Sequence, residues 1–235
     1  MTIPASLVAR AIERSSNQLL LLRDPAGTAW AGSGILYARL RSGDLLDLGR
    51  LGWETSASGL FAGHLDADVA LGIGASATRV ELSLAGMNVR GLNLALPGRI
   101  LAEFAPALVA FGPEGKLLLR SESLRIEDGK ILGIGEIEWR DVRLTRVSEI
   151  GLGSHVARLR GGGDTVDLAF GTISGLLRLS GGGSWTRKSG LEVFGTAEHD
   201  ADQASTLARL LQGICSEYKS GHCSFRYQQR QAGAG

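Results

Sequence analysis

The chain has 235 residues, with 25 Lys and Arg against 24 Asp and Glu, a formal net charge of +1. That length holds one large all-β domain or two domains of about 100 residues, with enough chain for a sizeable core. Near-neutral charge argues against a nucleic-acid binder, and 44% hydrophobic with 21% charged residues excludes a disordered chain.

No apolar run approaches the roughly 18 residues of a membrane helix, and no basic-then-apolar leader opens the sequence. The expectation is a soluble chain. Glycine is the outlier: 34 of 235 residues, about twice average usage. The glycines have no three-residue period and sit among alternating apolar residues, which suits strands with tight turns, bulges and sharp curvature.

In chain order, Ile3, Leu7, Val8, Ala11 and Ile12 follow helical spacing, with Pro4 where a first-turn proline is tolerated. Leu65, Ala67, Val69 and Leu71 then alternate with His64, Asp66 and Asp68. Val80, Leu82 and Leu84 alternate with Glu81 and Ser83, and Leu92, Leu94 and Leu96 precede a Pro97-Gly98 stop. Ile100 to Phe104 reads as one short turn before Pro106. Ile137 and Trp139 alternate with Glu136, Glu138 and Arg140, and Val166, Leu168 and Phe170 with Thr165 and Asp167. Such period-two patterns mark half-buried strands of antiparallel sheets. Gly161–Gly163 and Gly181–Gly183 read as hairpin tips. A helix is expected over 203–214, from Leu207, Leu210, Leu211 and Ile214, then a strand to Tyr227 and a frayed tail from Gln228.

Trp53 and Trp139 lie 86 residues apart, and at the same offset Thr78–Leu84 faces Asp164–Phe170. Both tryptophans follow a glycine-containing strand. The pattern predicts a mainly β fold: two tandem, related antiparallel units forming a strongly curved sheet or sandwich, with short terminal helices. The expected divisions are an N-terminal helix at 1–19, a first β unit at 20–97, a linker at 98–114, a second β unit at 115–200, and a C-terminal helix, hairpin and tail at 201–235.

Signatures of chemistry are weak. Gly72-Ile73-Gly74 is followed by a strand rather than the helix of a dinucleotide fingerprint. The glycine triplets lack the Gly-Lys-Ser/Thr ending of a phosphate loop. The four histidines are scattered singly, without zinc spacing, and no Gly-x-Ser-x-Gly elbow occurs. The reading is therefore no catalytic residue, no cofactor and no metal. Trp30, Trp53, Trp139 and Trp185 each stand near glycine at a strand or turn. There they either cover bare backbone or form an aromatic patch for a partner. Cys215 and Cys223 flank a Lys219-Ser220-Gly221 turn, and the spacing is compatible with a disulfide or with two free thiols.

Together these residues resemble the type II secretion system protein N (general secretion pathway protein N) family. The resemblance rests on Pro4–Val8, Gly27–Gly32, Leu51-Gly52-Trp53, Gly135–Asp141, Gly151–Ser154 and the glycine–Trp185 hairpin. It implies a bitopic protein of the bacterial inner membrane, with one membrane helix and the bulk of the chain in the periplasm. In the family that helix immediately precedes a segment like Pro4-Ala5-Ser6, so the expectation is that the anchor has been removed from this chain. The resemblance also implies a non-enzymatic role in protein export, contact with inner-membrane platform proteins of the secretion machine, and a Cys215–Cys223 disulfide in an oxidising compartment. A second expectation, from AsmA-like and TamB-like envelope proteins, is a β groove that binds lipid or another amphiphile.

Overall fold

The computed structural model describes residues 3–72, 75–104, 106–146, 148–199, 211, 215, 217–219 and 221–229. Helix α1 (Ala5–Ser15) opens the chain, with Pro4 before it and Ala5 and Ala9 buried. The Ser16 hydroxyl donates to the Ile12 carbonyl (2.7 Å) and accepts from the Leu20 amide (3.0 Å). Asn17 and Gln18, both at positive φ, then turn the chain into the sheet.

The strands are β1 (Leu20–Gly27), β2 (Ala31–Arg39), β3 (Leu45–Ser56), β4 (His64–Leu71), β5 (Thr78–Ser83), β6 (Gly86–Pro97) and β7 (Pro113–Glu127). They continue with β8 (Lys130–Leu144), β9 (Ser148–Gly163), β10 (Thr165–Ser174), β11 (Leu177–Thr186), β12 (Gly190–His199), β13 (Glu217–Lys219) and β14 (His222–Gln229). All belong to one open sheet of 14 strands, in chain order except that β14 precedes β13. Every neighbouring pair is antiparallel. The segment between β6 and β7 holds a short helix, α2 (Leu101–Phe104), and 3-10 turns, yet β6 and β7 pair directly.

The fold class is therefore mainly β, and one sheet runs through both expected units. The expected helix at 203–214 lies outside the described residues, apart from Leu211. Two local readings are corrected. Gly181–Gly183 is the middle of β11, not a hairpin tip, and Gln228 and Gln229 extend β14 by pairing with Glu192 and Leu191.

Curvature follows from the core. Ala38, Ile100 and Leu117 are buried in one cluster with Leu46, Leu48, Leu119, Ile137 and Trp139. That cluster joins β2 and β3 to β7 and β8. Four ladder steps separate β3 from β7, about 19 Å in a flat sheet, so a curved sheet and the β6–β7 connection, through Ile100 and Leu101, together bring these side chains into one cluster. A second cluster occupies the other half: Val142, Leu144, Leu152, Leu177, Ala197, Leu211 and Cys223. A third packs α1 against Leu22, Leu36, Trp53 and Leu71.

The edges are blunted. On β1 the ladder shifts between Arg23 and Ala26, where Asp24 takes positive φ and Pro25 supplies no donor. At the other edge, β13 is three residues long.

Connections alternate between two rims. One rim carries 28–30, 57–63, 84–85, 128–129, 164 and 187–189. Among the described residues, the other carries 40–44, Gly72, 75–77, 98–104, 106–112, 145–146 and 175–176. Leu117 and Ile134 provide a contrast in burial, 2% against 62% exposed. Leu117→Ala is expected to cost about 2–5 kcal/mol in urea unfolding, whereas Ile134→Ala should change stability by less than about 1 kcal/mol.

Candidate functional site

The chain's distinctive side chains are its tryptophans, and two of them make the same bond. Trp53, on β3, donates from Nε1 to the Thr28 carbonyl (3.1 Å). Trp139, on β8, donates from Nε1 to the Glu114 carbonyl (3.0 Å). Each indole reaches back 25 residues, and both donor and acceptor are displaced by 86. Bare backbone makes room for the rings. A Cβ on Gly32 would lie 2.5 Å from the Trp53 ring, and one on Gly98 would lie 2.9 Å from Trp139 Nε1. Trp53 is buried, and Trp139 is half-buried where two core clusters meet. Trp30 and Trp185 are also half-buried, in the β1–β2 turn and near the end of β11.

Strands β2–β6 and β7–β11 follow each other at this offset, and Trp53 opposite Val69 corresponds to Trp139 opposite His155. The agreement is local. Trp53 faces Gly32 where strict equivalence would set Trp139 opposite Leu118, but its partner is Leu117. Five strands is an odd number, so corresponding strands run in opposite directions and the two indoles reach towards opposite rims.

The β10–β14 region has its own aromatic device. Phe170, Gly181, Gly195 and Phe225 form one row across β10, β11, β12 and β14. The two rings stack with centroids 6.1 Å apart, and a Cβ on either glycine would collide with the Phe170 ring. The rings thus cover the glycines that a sequence reading takes for a turn. Beside this row, Cys215 and Cys223 are disulfide-bonded, their Cα atoms 5.6 Å apart.

Charged side chains pair across strands rather than converge on a point. Arg79 grips Asp68 with two hydrogen bonds, 2.9 and 3.0 Å, which hold the Asp68 carboxyl below its ordinary pKa. Glu138 is buried between Arg120 and Arg140. Glu136 pairs with Arg158 and Glu192 with Arg226. The Glu136 and Glu138 side chains are thus engaged by arginines. Among the described residues no group of three or more His, Cys, Asp or Glu could hold a metal ion. No described helix is long and apolar enough to cross a membrane.

His155 is the exception to this pairing. Its Nδ1 lies 3.0 Å from the Thr172 hydroxyl, which donates to the Leu177 carbonyl and accepts from the Leu179 amide. Nδ1 and the Thr172 hydroxyl share a hydrogen bond, and Nε2 is buried without a hydrogen-bond partner. A doubly protonated ring would leave a buried N–H unpaired, and burial lowers the His155 pKa from its ordinary 6.5. Nothing in the sequence separates this histidine from His64 or His222. Its burial comes from the β8–β9–β10 register.

Three outcomes test this account. Trp139→Ala is expected to lose about 3–5 kcal/mol of stability in urea melts. Replacing both cysteines by serine should remove about 2–3 kcal/mol. For His155 the folded-state pKa is depressed, so its contribution is present above 6.5 and is lost as pH falls through the folded value. Melting temperature measured against pH should fall less steeply below 6.5 in His155→Gln than in the wild type.

One of the comparisons with known proteins agrees with the resemblance read from these residues. No curated protein and no solved structure matches the chain. The family model described as type II secretion system (T2SS), protein N, matches residues 18–226, from the turn before β1 into β14. It spans both tryptophan clamps, the Phe170–Phe225 row and the disulfide. The chain belongs to the type II secretion system protein N family.

Proposed function

We propose that this chain is a non-enzymatic, periplasmic component of the type II secretion machinery, held at the inner membrane and contacting platform proteins there. The observation that carries this reading is the family match over 18–226. The Cys215–Cys223 disulfide supports a periplasmic home, because such bonds persist in oxidising compartments. The charged residues support a scaffold: Asp68, Glu136, Glu138 and Glu192 are each taken up in ion pairs of the sheet.

The packing also bears on the alternative of a lipid-binding groove. An open apolar trough needs an uncovered inner face, but Ala38, Leu46 and Leu48 share a core cluster with Leu117, Leu119 and Ile137. The sheet covers much of that face itself, which favours a scaffold. We further propose that units 20–97 and 115–200 are duplicates, a relation supported by the matching indole bonds of Trp53 and Trp139.

Deleting the gene in its host tests the functional reading. Type II substrates should accumulate in the periplasm, and the full-length protein should restore their release. The purified chain should also bind the periplasmic domain of at least one platform protein. Unimpaired secretion in the deletion strain would overturn the reading.

A further inference from the structure

Among the described residues, two large apolar side chains stand wholly in solvent: Phe61 at 101% and Leu84 at 105% exposure. Both lie on the same rim. Phe61 sits in the β3–β4 connection and Leu84 in the β5–β6 turn, and His64 pairs with Ser83 between them. These connections are two ladder steps apart, about 10 Å. The β1–β2 turn follows at the same interval on the other side, with half-buried Trp30. The chain start joins it there, since the Ala29 amide donates to the Ile3 carbonyl (2.8 Å) and Pro4 bridges to Thr28. Ile3 is exposed as well.

These three consecutive connections, 28–30, 57–63 and 84–85, contain no Asp, Glu, Lys or Arg. Acidic residues border this stretch at Glu127, opposite Gly86, and Asp128, whose amide donates to the Ala85 carbonyl, while Asp164, Arg187 and Lys188 lie further along. Single apolar side chains at separate turn tips do not make the continuous, shape-matched surface of a protein interface. A fluid apolar medium requires no such match, and uncharged turns enter it without desolvating an ion.

We propose that this half of the rim is a lipid-surface contact, with Phe61 and Leu84 entering the interfacial layer of a bilayer and Trp30 and Ile3 beside them. The contact is apolar, weak and reversible, and it is independent of anionic headgroups because the rim segment offers no cation. It differs from a lipid groove in using turn tips rather than the sheet face, and it does not depend on the secretion role.

Vesicle titration tests it, reading quenching of tryptophan fluorescence by brominated phosphatidylcholine, with and without added phosphatidylglycerol. The wild-type chain should partition equally into both vesicle types, at lipid concentrations of a few millimolar. Phe61→Ser with Leu84→Ser should weaken partitioning at least about tenfold, whereas Ile134→Ser, exposed elsewhere on the sheet, should leave it unchanged. Both tips are fully exposed, so the double variant should keep its circular dichroism and melting temperature. The proposal fails if the wild type does not partition, if the double variant partitions equally well, or if partitioning requires phosphatidylglycerol. It also fails if the double variant keeps lipid binding but loses binding to a platform protein, which would make the rim a protein interface.

Discussion

A single layer of strands has no second layer against which to hide an apolar face, and this constraint governs the structure. Each half-buried strand adds apolar side chains to one side, and water opposes leaving them open. The sheet answers by curving, and the β6–β7 connection adds Ile100 and Leu101 to the cluster that strands four ladder steps apart share. Ala38 and Leu117 meet in one cluster, and Val142, Leu177 and Cys223 in another. Helix α1 covers the part that bending leaves, around Leu22 and Leu36.

Bending on this scale requires places where backbone lies bare, and large rings then occupy the space. Trp53 lies over Gly32, Trp139 over Gly98, and the Phe170–Phe225 stack over Gly181 and Gly195. In each case a Cβ on the glycine would meet the ring, so glycine and aromatic are one unit of packing. The abundance of glycine in this chain is therefore consistent with a well-packed sheet, although glycine weakens isolated strands.

Much of this was legible beforehand, and the misses have physical causes. Alternation marked β4, β5, β6, β8 and β10, because their apolar and polar residues change sides at every step. It did not single out β2, β7, β9 or β12, where glycines or runs such as Leu117-Leu118-Leu119 break the pattern. Gly181–Gly183 looked like a turn because the rings that cover it belong to other strands, which only the register of β10, β12 and β14 brings alongside. The offset of Trp53 and Trp139 was visible in the sequence, but their bonds to Thr28 and Glu114 needed the three-dimensional path. Phe61 carried no warning, since an apolar residue in a loop can as easily fold inward, whereas Leu84 read as the third apolar position of its strand, which instead ends at Ser83 and leaves Leu84 in solvent.

Because nearly every strand pairs with the strands before and after it in sequence, the sheet is a meander. Folding speed in β proteins is limited by the entropy of closing long loops before distant strands can reward it. Here most rungs close only a hairpin, so pairing can begin at any of several turns and spread strand by strand, as in linear repeat proteins. The long closures belong to the second stage, when β2 and β3 come against β7 and β8. A chain built this way can acquire its ladder early and its curvature late, leaving between them a flatter sheet whose apolar face is briefly uncovered. That interval, more than the finished molecule, is where it is open to capture by a chaperone or by another copy of itself.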